Sequence, residues 1–247
     1  MSTTVYDVLG RPTAIYSADP SGSQTNIAVG NTAGNVIAKA SVQSFTYQGL
    51  STTSTNDKGQ TRIEEKNISG QVILVTDASG AQLAHQFDAF GNLIETRDAL
   101  QNKIAIGYDY RGRKISMTDP DAGASTYAYD ALGQLVKQQN AKQIAATTST
   151  TLAYDVLGRM TQRIEPEYTS TWTYDSCTTG KGKLCASSTS NGVTKTMVYD
   201  SLGRPINSRT DITSGPSFAS AVSYDSTSGR VATQTYPTGV QVGYSYT

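Results

Sequence analysis

The chain has 247 residues in which 20 Lys plus Arg balance 20 Asp plus Glu, so no net field draws it to nucleic acid or to an anionic membrane surface. Hydrophobic residues make up 37%, below the usual globular share, and much of the remainder is Ser, Thr, Gly and Gln. The longest aliphatic run, Val72-Ile73-Leu74-Val75, is far too short to span a bilayer, and Met1-Ser2-Thr3-Thr4 is not a charged and apolar leader.

Length would allow a large core, but in a repeat protein it does not set the number of domains. Composition alone points toward disorder, whereas alternating β-formers and regularly placed turns argue for an all-β chain. Of the aromatics, 15 are Tyr against 4 Phe and 1 Trp, which suits a surface packed on the rings and wet at the hydroxyls.

The first recognisable element is Tyr6-Asp7-Val8-Leu9-Gly10-Arg11. Tyr ends a strand, the Asp carboxylate accepts from amides further along the turn, and Gly supplies a left-handed residue before the chain re-enters a strand. Arg stands across the turn from Asp and can pair with it, an exposed contact that adds well under ~1 kcal/mol. Each such phrase is therefore read as the tip of a β-hairpin.

Residues 12–86 are harder to place. Ser21-Gly22-Ser23 and Thr52-Thr53-Ser54-Thr55 read as loops, Gly30 to Gly34 as a turn, and Ile63, Val72 to Val75 and Leu83 as strand cores. Partial echoes of the phrase stand at Tyr47-Gln48-Gly49 and Thr76-Asp77-Ala78-Ser79-Gly80. Residues 1–86 are expected to be diverged copies of one repeat, with a separate cap or plug as the alternative.

From residue 87 the phrase becomes regular. Full copies begin at Tyr108-Asp109 (with Gly112 and Arg113), Tyr129-Asp130 (Gly133), Tyr154-Asp155 (Gly158 and Arg159) and Tyr199-Asp200 (Gly203 and Arg204), and looser ones at Phe87-Asp88, Tyr174-Asp175 and Tyr224-Asp225. The starts at 87, 108, 129, 154, 174, 199 and 224 are 20 to 25 residues apart, a period that marks a repeat architecture. Between tips a second, less constrained turn is expected at Asp119-Pro120-Asp121-Ala122-Gly123, Asn140-Ala141-Lys142, Glu165-Pro166-Glu167, Ser190-Asn191-Gly192, Ser214-Gly215-Pro216 and Pro237-Thr238-Gly239. The variation in step is assigned to that second turn. No ten-residue stretch has helical periodicity, so residues 87–247 read as a long antiparallel meander.

Tyr-Asp-x-x-Gly-Arg repeated at this spacing resembles the Rhs or YD-repeat family, clearly from Phe87 onward and in one isolated copy at Tyr6 to Arg11. The resemblance implies a β-hairpin strip forming an arc of a hollow cocoon. In that family the cocoon encloses the toxic C-terminal part of a polymorphic toxin, and it occurs in secretion-system effectors and insecticidal toxin complexes. It implies an exported, secreted or cell-surface protein. Its partners would be neighbouring repeats of the same shell and an enclosed toxin domain, and this segment would have no enzymatic activity. Wall-associated and teneurin-type relatives supply an alternative, an adhesion module binding surface glycans, with exposed tyrosines stacking on sugar rings. Val240, Val242, Tyr244 and Tyr246 alternate as a strand where another tip is due, so we expect an open-edged piece of a longer array that self-associates.

Residues for chemistry are sparse. A single histidine, His85, excludes a Ser-His-Asp triad or a multi-histidine metal site and is read as a strand residue. Asp7, Asp109, Asp130, Asp155 and Asp200 recur because the turn recurs, whereas paired catalytic carboxylates need unlike environments. Gly180-Lys181 lacks the upstream glycine of a phosphate loop, and no cofactor is expected. Asn67-Ile68-Ser69 is a formal glycosylation sequon. Cys177 and Cys185 flank Thr178 to Lys183 and are expected to face each other across a hairpin as a disulfide. Two unpaired core thiols and a metal pair are the alternatives.

Overall fold

The computed structural model describes residues 2–18 and 39–246. The loop expected at Ser21 to Ser23 and the turn at Gly30 to Gly34 lie outside the described residues. The chain forms two compact units, Met1–Gly123 and Ala124–Thr247.

The first unit holds β1 (Ser2–Tyr6), β2 (Pro12–Ala18), β3 (Lys39–Gln48), β4 (Ser51–Thr55), β5 (Thr61–Lys66), β6 (Val72–Thr76), β7 (Gln82–Phe87), β8 (Leu93–Arg97), β9 (Lys103–Tyr108) and β10 (Lys114–Asp119). Each strand pairs antiparallel with the next, which makes an unbroken meander. Thr52 to Thr55, expected as a loop, belongs to β4, where Thr53 pairs with Ile63. Threonine's β-branch suits a half-buried strand, and that outweighs the low-complexity look of the run.

The second unit holds β11 (Gly123–Tyr129), β12 (Leu135–Gln139), α1 (Ala141–Ala145), β13 (Thr150–Tyr154), β14 (Met160–Ile164), β15 (Thr169–Tyr174), β16 (Leu184–Thr189), β17 (Val193–Tyr199), β18 (Pro205–Ile212), β19 (Ser217–Tyr224), β20 (Val231–Thr235) and β21 (Gln241–Gly243). Its strands again pair antiparallel in sequence order. The one short helix replaces the turn expected at Asn140. Asn140 Oδ1 accepts from Gln143 N and Gln143 Oε1 accepts from Asn140 N, a reciprocal cap that turns an intended bend into a helical one.

The fold is all-β and single-layered within each unit, and it builds no substantial core. Among the described residues the only buried hydrophobics are Val75 and Cys185, and the buried polar ones are Glu95, Thr150 and Ser170. The room for a large core that length allows is therefore unused, because a sheet with no second layer has nothing to bury its face against. Stability must come from each hairpin's contacts with its neighbours, as in other repeat strips.

In a meander, successive turns fall on alternate edges. Tips at Asp7, Gln48, Asn67, Asp88 and Asp109 share one edge of the first unit, and those at Asn56, Asp77 and Asp98 share the other. The Thr76 to Gly80 echo is thus a far-edge turn. The repeat's member in that region is instead Asn67-Ile68-Ser69-Gly70-Gln71, which the sequence conceals behind Lys66 in place of Tyr, Asn in place of Asp and Gln in place of Arg.

The source of the uneven step also differs from expectation. From Asn56 to Arg113 both edges of the first unit use the same five-residue turn, which holds the step near its shortest value, while β3 and β4 are joined by the two-residue turn Gly49-Leu50. In the second, only the step from 129 to 154 is lengthened by the far-edge connection that carries α1. The step from 174 to 199 is lengthened at the phrase tip itself, where the loop runs from Asp175 to Lys183. The step from 199 to 224 grows chiefly because β18 and β19 have eight residues each.

Candidate functional site: the latched hairpin edge

At Asp155 the turn is closed by Gly158 N donating to Asp155 O at 3.0 Å and Asp155 N donating to Arg159 O at 2.9 Å. This is a type I turn followed by a left-handed residue, with Gly158 at φ +78°. Asp155 Oδ1 accepts from the N–H groups of Leu157 and Arg159, both at 2.9 Å, and Oδ2 accepts from Arg159 Nε at 2.7 Å. The same pattern stands at Asp7 with Arg11, Asp109 with Arg113 and Asp200 with Arg204. Asp130 holds its turn by accepting from Gln134 N at 2.9 Å, with Gly133 at φ +91°. At Asn67 an amide replaces the carboxylate: Oδ1 accepts from Ser69 and Gln71 N, and Nδ2 donates to Gln71 Oε1. The sequon asparagine is therefore already committed to its own turn.

At Asp7, Asp109, Asp155 and Asp200 these bonds favour the ionised carboxylate. Asp155 sits below the ordinary carboxylate range, through the Arg159 N–H first, against opposing burial, and then through the Arg159 guanidinium. Asp7 is lowered in the same way by Arg11. Asp109 and Asp200 are also lowered: desolvation is the largest influence and opposes the shift, but backbone and guanidinium donors together outweigh it.

The arginine does more than close its own turn. The Arg159 guanidinium carbon lies 4.4 Å from the ring centroid of Tyr174, and Nη2 reaches Asp175 Oδ2 at 2.6 Å, so it bridges two successive phrases. Its pKa is pushed further up by Asp175 and then Asp155. Arg11 stacks on Tyr47 at 4.3 Å, Arg204 on Tyr224 at 4.0 Å and Arg230 on Tyr246 at 5.0 Å. In these four the ring lies one phrase further on, whereas Arg111 stacks 5.5 Å from Tyr110 within its own tip.

The tyrosine hydroxyl completes the link. Tyr47 Oη donates to Pro12 O at 2.7 Å, Tyr154 to Leu135 O at 2.9 Å, Tyr199 to Leu184 O at 2.7 Å, Tyr224 to Pro205 O at 3.0 Å and Tyr246 to Val231 O at 2.9 Å. The acceptor is always the residue after the preceding phrase's arginine position. This corrects the expectation of wet hydroxyls: in these five the polar tip is spent on a neighbouring backbone carbonyl.

Glycine meets the same neighbour. A Cβ on Gly158 would lie 3.1 Å from Gln134 Nε2, and one on Gly91 would lie 3.3 Å from Gln71 Nε2. Gln71 Nε2 also donates to Gly91 O at 3.0 Å, as Arg204 Nη1 does to Gly229 O at 3.1 Å. The arginine-position residue of one phrase thus lies under the glycine of the next. Sequence reading found the turn residues but missed this inter-phrase role, although the regular step from Arg to the next Tyr carried the signal.

The cysteines depart from their expected arrangement. The Cys177 and Cys185 sulfurs are 2.09 Å apart and their Cα atoms 5.5 Å apart, which closes a disulfide. Yet β15 ends at Tyr174, opposite Leu184, so Cys177 lies inside the loop and not across a strand pair. Asp175 sets this shape with a left-handed backbone, φ +64°, and by accepting from Gly182 N at 2.6 Å. His85 is a residue of β7, with Nδ1 3.1 Å from Thr96 Oγ1. Among the described residues no group of three or more His, Cys, Asp and Glu is placed to hold a metal, and no helix is long and apolar enough to cross a membrane.

A family model described as RHS Repeat matches residues 69–103 and 108–145. Those two stretches are RHS repeats. The matched stretches hold the tips at Asp88, Asp109 and Asp130, whereas the same turn geometry at Asp155 and Asp200 lies beyond them. Two of the solved structures it matches share this fold. The TcdB2-TccC3 crystal structure superposes with a TM-score of 0.71 at 16% identity, over 96% of this chain and 14% of that one. The Photorhabdus luminescens Tc holotoxin pore does so with a TM-score of 0.72 at 15% identity, over 99% of this chain and 14% of that one. The chain therefore spans about one seventh of the chains it matches. No curated protein sequence matches it significantly.

Proposed function

We propose that this chain is a non-catalytic length of wall in a shell that encloses a toxin or effector polypeptide of an exported bacterial protein. The observation that carries this reading is the latch: the stacks of Arg11, Arg159 and Arg204 and the tyrosine-to-carbonyl bonds run from one phrase to the next along the phrase edge of each unit. Such contacts extend a strip, and the acids and arginines of these tips are taken up in pairing one another. Regular residues 87–247 and diverged residues 1–86 would then be one continuous wall.

The test uses the full-length protein with its native flanking repeats and downstream domain. The enclosed polypeptide should resist protease in the intact protein and become cleavable when the Arg159→Ala and Tyr174→Ala changes open one latch. Equal digestion in both would end the shell reading.

One observation favours the adhesion alternative. On the second unit, a cavity of about 320 Å³ is lined by Tyr127, Gln138, Gln143, Arg163 and Glu165, and Arg163 Nε is buried there without an acceptor. A sugar hydroxyl could accept that hydrogen bond. Glycan-array binding that disappears with Gln138→Ala would support this reading over the shell.

A further inference from the structure

Apart from the two-residue turn at Gly49-Leu50, the two edges of the first unit have the same turn geometry but different chemistry. On the phrase edge the two central positions are Val8-Leu9, Gly49-Leu50, Ile68-Ser69, Ala89-Phe90 and Tyr110-Arg111, so every tip carries at least one large apolar or aromatic side chain. Val8 is 102% exposed, Leu9 72%, Ile68 95%, Phe90 91% and Tyr110 88%. The same positions on the far edge are Asp57-Lys58, Ala78-Ser79 and Ala99-Leu100, and only Leu100 is a large exposed hydrophobe there. Turn centres are ordinarily polar, and nothing in the type I geometry asks for an apolar residue at them. The hairpin does not need these side chains, since its carboxylate, glycine and arginine hold it without them.

We propose that the phrase edge of the first unit is an association surface, and that its occupant is the same row of tips on a second copy of this chain. Spacing selects that occupant. Consecutive tips are two strands apart, about 9.6 Å at the usual strand separation. A helix repeats one face every seven residues, about 10.5 Å, and drifts out of step by about 1 Å per tip. A single extended strand repeats a face every ~6.8 Å. Another row of hairpin tips keeps register along the whole edge, with the knobs of one copy seated between those of the other. Area and charge agree. Two aromatic rings of about 150–250 Å² each, together with four aliphatic side chains, bring the row toward the ~800 Å² per partner of a stable interface. Arg111 is the only charged residue at the central positions of these tips, so two rows meet without a field of like charge. The contact leaves the latches untouched and does not depend on what the strip encloses.

Sedimentation velocity on the 247-residue chain across a range of concentrations tests this. Wild type should show concentration-dependent dimerisation. The triple variant Leu9→Asp, Ile68→Asp and Phe90→Asp, whose circular dichroism should match wild type because the changes lie at exposed turn centres, should weaken it at least tenfold. Leu100→Asp on the far edge should leave it unchanged. A monomeric wild type overturns the proposal. So does association that survives the triple variant, which would assign it to unpaired strand edges or to another surface.

Discussion

The Arg204 guanidinium carbon lies 4.0 Å from the ring centroid of Tyr224, and the Tyr224 hydroxyl donates to the carbonyl of Pro205, the residue next to that arginine. Ring and hydroxyl therefore grip the same two residues of the preceding phrase. The two halves of this grip can be separated by substitution.

Removing only the hydroxyl leaves the stack. Tyr224→Phe should cost up to about 1 kcal/mol, because the Pro205 carbonyl loses its donor at 3.0 Å. Arg204→Lys should also destabilise, since a lysine cannot both face Asp200 with Nε and lie flat on Tyr224. Urea melts of each single variant and of the double Arg204→Lys, Tyr224→Phe would show a coupling, whereas strictly additive losses would mean that stack and hydrogen bond act independently.

Gly10 isolates the backbone requirement of the turn, because its φ is +76° and a Cβ there would meet nothing within 4 Å. Gly10→Ala should cost about 1–2 kcal/mol from left-handed strain alone. Gly243, which has open space and no positive φ, should tolerate alanine within about 0.5 kcal/mol. Gly215→Val is a poor control, since a Cβ would lie 3.0 Å from Ile212 Cγ2. Equal losses at Gly10 and Gly243 would contradict the strain argument.

Acid should loosen the tips. Asp7, Asp155 and Asp200 have folded-state pKa values below their ordinary value, so they stabilise the fold above the unfolded carboxylate pKa of about 3.9. That contribution is lost as pH falls through the lower folded values. Chemical melts at pH 7 and pH 3 should show this loss, and Asp155→Asn should show a smaller difference between the two pH values than wild type does.

Reduction of the Cys177–Cys185 bridge should act locally. Opening so short a loop removes roughly 2 kcal/mol of constraint, and Cys177 N also loses its contact at 3.0 Å with Cys185 Sγ. Hydrogen exchange should accelerate between Asp175 and Cys185 while β18 to β20 remain protected. Global unfolding on reduction would contradict the nearest-neighbour picture.

The hairpin tips were legible in the sequence because their residues act within five positions: Asp155 reaches Arg159, and Gly158 bends between them. The meander followed from periodicity. What the sequence hid depends on contacts across the step. Asn67 to Gln71 escaped because amides substitute for an ion pair without changing the geometry. The destination of the tyrosine hydroxyls escaped because their acceptors are backbone carbonyls, which leave no mark on residue identity. Cys177 was misplaced because the left-handed Asp175 adds residues at a tip where a standard turn was assumed.

The bridge from Arg159 to Tyr174 and Asp175 has a consequence for how such chains change length. Each phrase finds its partner two strands away on the same edge, so the array has parity. Insertion or loss of a single strand would send every later tip to the opposite side, leaving arginines facing polar far-edge turns and tyrosines with no carbonyl in reach. Strand pairs can be gained or lost freely, and residues can accumulate inside a loop such as Asp175 to Lys183. The number of strands can thus grow only in quanta of one complete hairpin, and the same bond that fastens a unit also counts it.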